Sequence, residues 1–154
     1  MNLILWRHAD AEDMNSRGDL ARELTKRGRK QAQQMAHWLV AHLEGEWRIV
    51  VSPARRTLQT VAPLERDFEV SEVLAPGTFP EKVLREAGWP GMDGNVLLVG
   101  HQPTLGEVAA LLLNGEEGGV SMRKGAIWWF VTREREGKIE TTLKTVLEPD
   151  QAED

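Results

Sequence analysis

Three short apolar runs, Leu3-Ile4-Leu5-Trp6, Ile49-Val50-Val51 and Val96-Leu97-Leu98-Val99, constrain this chain more than any other feature. A strand with one wet face alternates polar and apolar residues. Runs that are apolar at every position suit strands buried on both faces, as in a parallel sheet with helices on either side. Between the first two runs, Ala32, Met35, Ala36, Leu39 and Leu43 recur at helical spacing, with Thr25 as N-cap and Gly45 as stop, which predicts a βαβ unit. After the second run, Ser52-Pro53 reads as a helix start, because serine caps free amides and proline tolerates the first helical position.

A weaker strand is expected from Phe68 to Leu74, a short helix from Glu81 to Ala87, and a helix opened by Pro103 that carries Leu105, Val108, Ala109 and Leu112. Ala126 to Val131, a turn near Glu136-Gly137-Lys138, and Ile139 to Val146 predict a closing antiparallel hairpin. The expected fold class is therefore α/β, a mostly parallel sheet with a C-terminal antiparallel hairpin. With 154 residues, 41% of them apolar, the chain suits one domain, expected over 1–147. Residues 148–154, acidic and containing Pro149, read as a frayed tail, and Ala11 to Glu23 as a mobile loop.

There is no cysteine, which removes disulfides, thiolate metal sites and a thiol nucleophile, and leaves histidines at 8, 37, 42 and 101. A net charge of −5 argues against nucleic acid as a partner. The apolar start ends at Arg7, too soon for a signal segment or a membrane span, so a cytoplasmic protein is expected. Nothing in the sequence fixes an oligomeric state, and a monomer is compatible with it.

Ligands of open α/β sheets bind beyond the carboxyl ends of the strands. The three runs are followed there by Arg7-His8, by Ser52-Pro53-Ala54-Arg55-Arg56 and by Gly100-His101. Histidines and arginines converging on one edge of an acidic chain call for an anion. Arginine offers paired donors that match phosphate oxygens, and histidine serves as base, acid or nucleophile near neutral pH, so a phosphoryl group is the natural ligand. Arg56 should lean toward the strand ends, while Arg55, about 100° further around the helix, should point elsewhere.

Four segments in order, Leu5-Trp6-Arg7-His8-Ala9, Leu24-Thr25-Lys26-Arg27-Gly28, Ser52-Pro53-Ala54-Arg55-Arg56-Thr57 and Val99-Gly100-His101-Gln102-Pro103, resemble the histidine phosphatase superfamily, which also contains the phosphoglycerate mutases. The short length makes the chain most similar to the SixA-type phosphohistidine phosphatases. The resemblance implies a three-layer α/β/α sandwich, phosphoglycerate mutase-like. It also implies a metal-independent phosphatase in which His8 attacks phosphorus, a phosphohistidine forms, and water hydrolyses it, with Arg7, Arg56 and His101 clamping the phosphoryl oxygens. No cofactor is implied. The substrate it suggests is phosphohistidine in a protein. A small phosphate ester, or a phosphate-recognition module without turnover, are the alternatives. Ala9 stands where the family commonly has glycine, leaving the backbone after His8 less freedom.

Mutase-like relatives also use a carboxylate to protonate the leaving oxygen, for which Glu72 and Glu81 are the nearest candidates. Without such an acid an alkyl ester would react ~10²–10⁴-fold more slowly, whereas an imidazole leaves readily once protonated. His37 and His42 read as structural or surface residues on a helix, and Gln59 and Thr60 as scaffold. Asp10 reads as a cap or an orienting group rather than a metal ligand, since Arg7 nearby would repel a cation. Of the six tryptophans, Trp6 is the one expected to shape the site entrance.

Overall fold

The computed structural model describes residues 1–91 and 93–152. In chain order the strands are β1 (Asn2–Arg7), β2 (Arg48–Val51), β3 (Glu69–Val70), β4 (Asn95–Gly100), β5 (Ile127–Arg135) and β6 (Lys138–Leu147). The helices are α1 (Lys26–His42), α2 (Arg55–Val61), α3 (Pro80–Glu86) and α4 (Thr104–Asn114). One six-stranded sheet runs in the order β3-β2-β4-β1-β5-β6. Its first four strands are parallel and the last two antiparallel, as the buried runs and the hairpin predicted. Glu136 and Gly137 turn the hairpin, both at positive φ (52° and 77°), the conformation that two-residue hairpin turns require.

Because side chains alternate across a strand, each apolar run serves two cores. Leu3, Leu5, Val50, Val96 and Leu98 pack toward α3 and α4, while Ile4, Trp6, Ile49, Val51, Leu97 and Val99 pack toward α1 and α2. The three-layer sandwich follows from this, and burying each such side chain is worth about 1.5–3 kcal/mol. The same alternation corrects the expectation for Trp6. It lies beneath α1, fully buried, its indole N–H donating to the Gly125 carbonyl at 3.1 Å, and takes no part in an entrance.

Thr25 caps α1 as expected, its hydroxyl accepting from the Gly28 amide. Helix α2 starts at Arg55 with Ala54 at its N-cap, not at Ser52-Pro53. The expected Phe68 to Leu74 strand is reduced to β3 followed by a 3₁₀ turn over Glu72–Leu74, because the Ser71 hydroxyl accepts from the Val73 amide and turns the chain out of the sheet.

Residues 148–152 depart from the frayed tail expected of them. Pro149–Gln151 form a 3₁₀ turn with a capping box between Glu148 and Gln151, and Ala152 is buried in the core under α1; residues 153 and 154 lie outside the described residues. The Ala11 to Glu23 loop is likewise tied down at its base by the Ala11–Leu24 bridge and by the Leu24 amide on Gln59, while its tip at Met14 is exposed. Among the described residues no helix is long and apolar enough to cross a membrane.

Candidate active site

Strand register builds the site. Arg7 pairs with Gly100 and Val51 with Val99, so β1, β2 and β4 end level. The next residues, His8, Ser52 and His101, therefore emerge together, with the His8 amide on the Gly100 carbonyl and the Ser52 amide on the Val99 carbonyl. Arg56 adds its side chain from the first turn of α2, and the His8 and His101 rings lie 5.4 Å apart between centroids. Arg55 points away and pairs with Glu23.

The tautomer of His8 is set by what surrounds it. Its Nδ1 lies 2.7 Å from the Ala9 carbonyl, which only accepts, so Nδ1 carries the proton and Nε2 keeps its lone pair. Burial, and the charges of Arg56, Arg7 and Arg22, pull its pKa down to about 4, so the ring is neutral at pH 7. Ala9 in turn donates its amide to the Thr60 hydroxyl and packs its methyl against Ala11, Leu24 and Ala32, a small cluster that accommodates the residue standing in place of glycine.

His101 has the opposite tautomer. Its Nδ1 faces Arg56 Nη2 at 3.3 Å, and a guanidinium only donates, so Nδ1 accepts and Nε2–H donates to Ser52 Oγ at 2.7 Å. Burial, then Arg56 and His8, lower its pKa to about 3. In the ligand-free site His101 is thus a neutral hydrogen-bonding group. An anion arriving at Nδ1 would favour its protonation.

The arginines carry the anion preference. Arg56 is buried and gives Nη1 to the Asp19 carbonyl at 2.9 Å and Nη2 to the Asp19 carboxylate at 3.2 Å, while Arg7 gives Nη1 to the Met122 carbonyl at 2.8 Å. The Nε–H of Arg7 and of Arg56 are buried without any acceptor. An unpaired buried donor costs about 1–3 kcal/mol, more when charged, which an oxyanion in the pocket would relieve. Asp19 also accepts from Arg22 at 2.9 Å, and these two arginines hold its carboxyl below the usual carboxylate range.

His8, Arg7, Arg56 and His101 are thus brought together. Glu72 and Glu81 are not: neither bonds to any of these four among the described residues, and Glu81 lies in a groove with Leu84, Arg85 and Trp89. Ser52, expected from the sequence to be a helix cap, is the partner of His101, and Asp19 and Arg22 join the site through Arg56 without a marked sequence pattern. Their three-residue spacing in a polar loop was the only signal they offered. Asp10 orients, its carboxylate accepting from Thr25 and pairing with Lys124. Among the described residues no cluster of three or more histidine or acidic side chains is arranged to hold a metal.

The sequence profile of the histidine phosphatase superfamily (branch 1) matches residues 3–94, a stretch that carries His8, Arg7 and Arg56 in this geometry. The chain belongs to that superfamily. It is 35% identical to a phosphohistidine phosphatase SixA homolog from Haemophilus influenzae, over 73% of this chain and 77% of that protein. The structure of the protein histidine phosphatase SixA complexed with tungstate superposes with a TM-score of 0.83 at 27% identity, covering 99% of this chain and 100% of that one. A phosphoserine phosphatase from Entamoeba histolytica bound to phosphoserine matches with a TM-score of 0.71 at 18% identity, over 97% and 98% of the two chains, and shares the fold alone. The superfamily match taken together with the SixA relatives makes this protein a phosphatase.

Proposed function

We propose that this phosphatase removes the phosphoryl group from phosphohistidine in a protein partner through a covalent phosphohistidine at His8, without a metal. The observation that carries the reading is the state of His8: neutral, with Nδ1–H spent on Ala9 and Nε2 free, beside two buried guanidinium N–H groups that lack an acceptor. In the first step the Nε2 lone pair forms the bond to phosphorus as the bond to the substrate imidazole breaks; the substrate ring enters protonated on its other nitrogen, so it takes the bonding electron pair and leaves as a neutral imidazole. In the second, water attacks phosphorus, the bond to Nε2 breaks, and inorganic phosphate departs with His8 neutral again. Arg7, Arg56 and His101 would hold the equatorial oxygens throughout, the positioning and charge stabilisation on which phosphoryl transfer chiefly depends.

Neither Glu72 nor Glu81 bonds to the four site residues among the described residues, and Asp19, whose carboxylate does, is held ionised by Arg22 and Arg56, which favours an imidazole leaving group over an alkoxide, since the former needs no dedicated acid. The names of the relatives, a SixA homolog and SixA itself, support the same substrate class, and a cytoplasmic setting suits such a partner. Phosphate release should be compared for a phosphohistidine peptide and a panel of phosphate esters in the presence of a strong chelator. The expected outcome is preference for the peptide, acid-labile label on His8 after rapid quench, and no loss on chelation. His8→Ala should release no phosphate yet still bind vanadate. Preference for esters would refute the substrate, an active His8→Ala the mechanism, and activity restored only by a divalent cation the metal-free chemistry. Binding of a phosphorylated partner with neither label nor release would identify a recognition module.

A further inference from the structure

A cleft of about 400 Å³ adjoins the phosphoryl pocket and shares Arg7 with it. Its walls come from the end of β1, the first turns of α1, the 121–124 segment and residues 148–150. Of the acids on these walls, Asp10 is taken by Lys124 and Thr25, and Glu148 by Arg123 and the capping box, leaving Asp150 at the outer rim. Arg27 makes no hydrogen bond or ion pair among the described residues, and Gln31 spends its carbonyl oxygen on the Asp10 amide, which leaves its amide N–H₂ to donate. The unspent groups of the cleft are thus mainly donors.

The helix that forms one wall has its charges the wrong way round for its own stability. A helix N-terminus carries partial positive charge and favours acidic residues. Yet α1 has none in its first turn, and Lys26, Arg27, Arg29 and Lys30 crowd its first five positions, all exposed. At 100° per residue, Arg27 lies about 40° and Lys30 about 100° around α1 from Gln31, both in the same direction, so Arg27 lines the cleft and Lys30 stands next to it outside the wall. In a chain of net charge −5 such a local conflict points to a bound anion rather than to folding.

We infer that this cleft and the basic first turns of α1 beside it dock acidic side chains that flank the phosphohistidine in the protein substrate. The inference rests on the phosphohistidine reading and adds what the partner must carry: carboxylates close enough to the modified ring to reach Arg27 and Lys30 while the phosphoryl group lies on His8.

Two phosphohistidine peptides, identical except for glutamates or glutamines around the modified residue, test it. Two lost rim contacts correspond to roughly a tenfold preference in kcat/KM for the glutamate peptide at low salt, expressed in KM and shrinking as salt rises. In the Arg27→Glu, Lys30→Glu double variant that preference should vanish or invert, and the milder Arg27→Gln should reduce it. Arg133→Glu, a single charge reversal of the kind made at each of those positions but on the hairpin at the opposite end of the sheet, should keep it. Equal kcat/KM for the two peptides in the wild type, a preference that survives the double variant, or one lost equally in Arg133→Glu would overturn the docking site and leave the function standing. Turnover of small esters with no release from either peptide would remove the function and the docking site together.

Discussion

Lowering the pH from 7 to 5 should cost the folded protein about 4 kcal/mol of stability, and half of that loss should disappear when His8 is replaced by a residue that does not titrate. The folded pKa values of His8 and His101 are depressed to about 4 and about 3, against 6.5 for an unperturbed ring. Between pH 6.5 and 4 the unfolded chain therefore takes up protons that the native site refuses. Stability is at its full value above 6.5 and falls with pH. At pH 5 each unfolded ring is almost fully protonated and each native ring almost fully neutral, which amounts to about 2 kcal/mol per histidine after allowing for the small uptake already present at pH 7. Against a total of roughly 5–15 kcal/mol for a domain, this is a large fraction. The window stops at pH 5 because carboxylates held low by arginines, Asp19 and Glu23 among them, add a further loss in the same direction on stronger acidification. Urea unfolding of the wild type and of His8→Gln at half-unit steps from pH 7 to 5 measures the difference directly. If the two stability curves run parallel, His8 titrates normally in the native state, and the argument that burial and the surrounding arginines keep the ring neutral well below pH 6.5 is refuted.

Ser52→Ala removes the acceptor of His101 Nε2–H and should lower kcat roughly five- to tenfold with little change in KM, as expected for one buried hydrogen bond of about 1 kcal/mol; a normal rate would show that Ser52 does not position His101. Gly28→Ala should destabilise the fold by about 1–3 kcal/mol, because a Cβ there would collide with the Asp10 carbonyl, and thermal unfolding reads the loss.

Much of the site was legible from local pattern. Arg7, His8 and His101 follow apolar runs, and the rule that parallel strands end at one edge brings them together whatever the loops do. Arg56 followed from its place in the first turn of a helix. Contacts between residues far apart in the chain were not legible. Ser52 reads as a helix cap because serine before proline commonly is one, and only the level register of β2 and β4 reveals that its hydroxyl meets a ring 49 positions away. Asp19 belongs to a polar loop with no periodicity, so nothing local marks it as the group that holds both terminal nitrogens of Arg56.

By itself, then, the sequence determined the layered α/β architecture and the gathering of Arg7, His8 and His101 at the strand ends with Arg56 in the helix turn beside them, since continuous burial and side-chain alternation are properties of neighbouring residues. Tertiary structure alone decided which nitrogen of each histidine carries the proton, which donors are left without acceptors, that Trp6 lies in the core, and that residues 148–152 dock under α1. Tautomers, pKa values and unpaired donors depend on the distance and burial of groups brought together across the sheet, and periodicity along a chain does not encode those quantities.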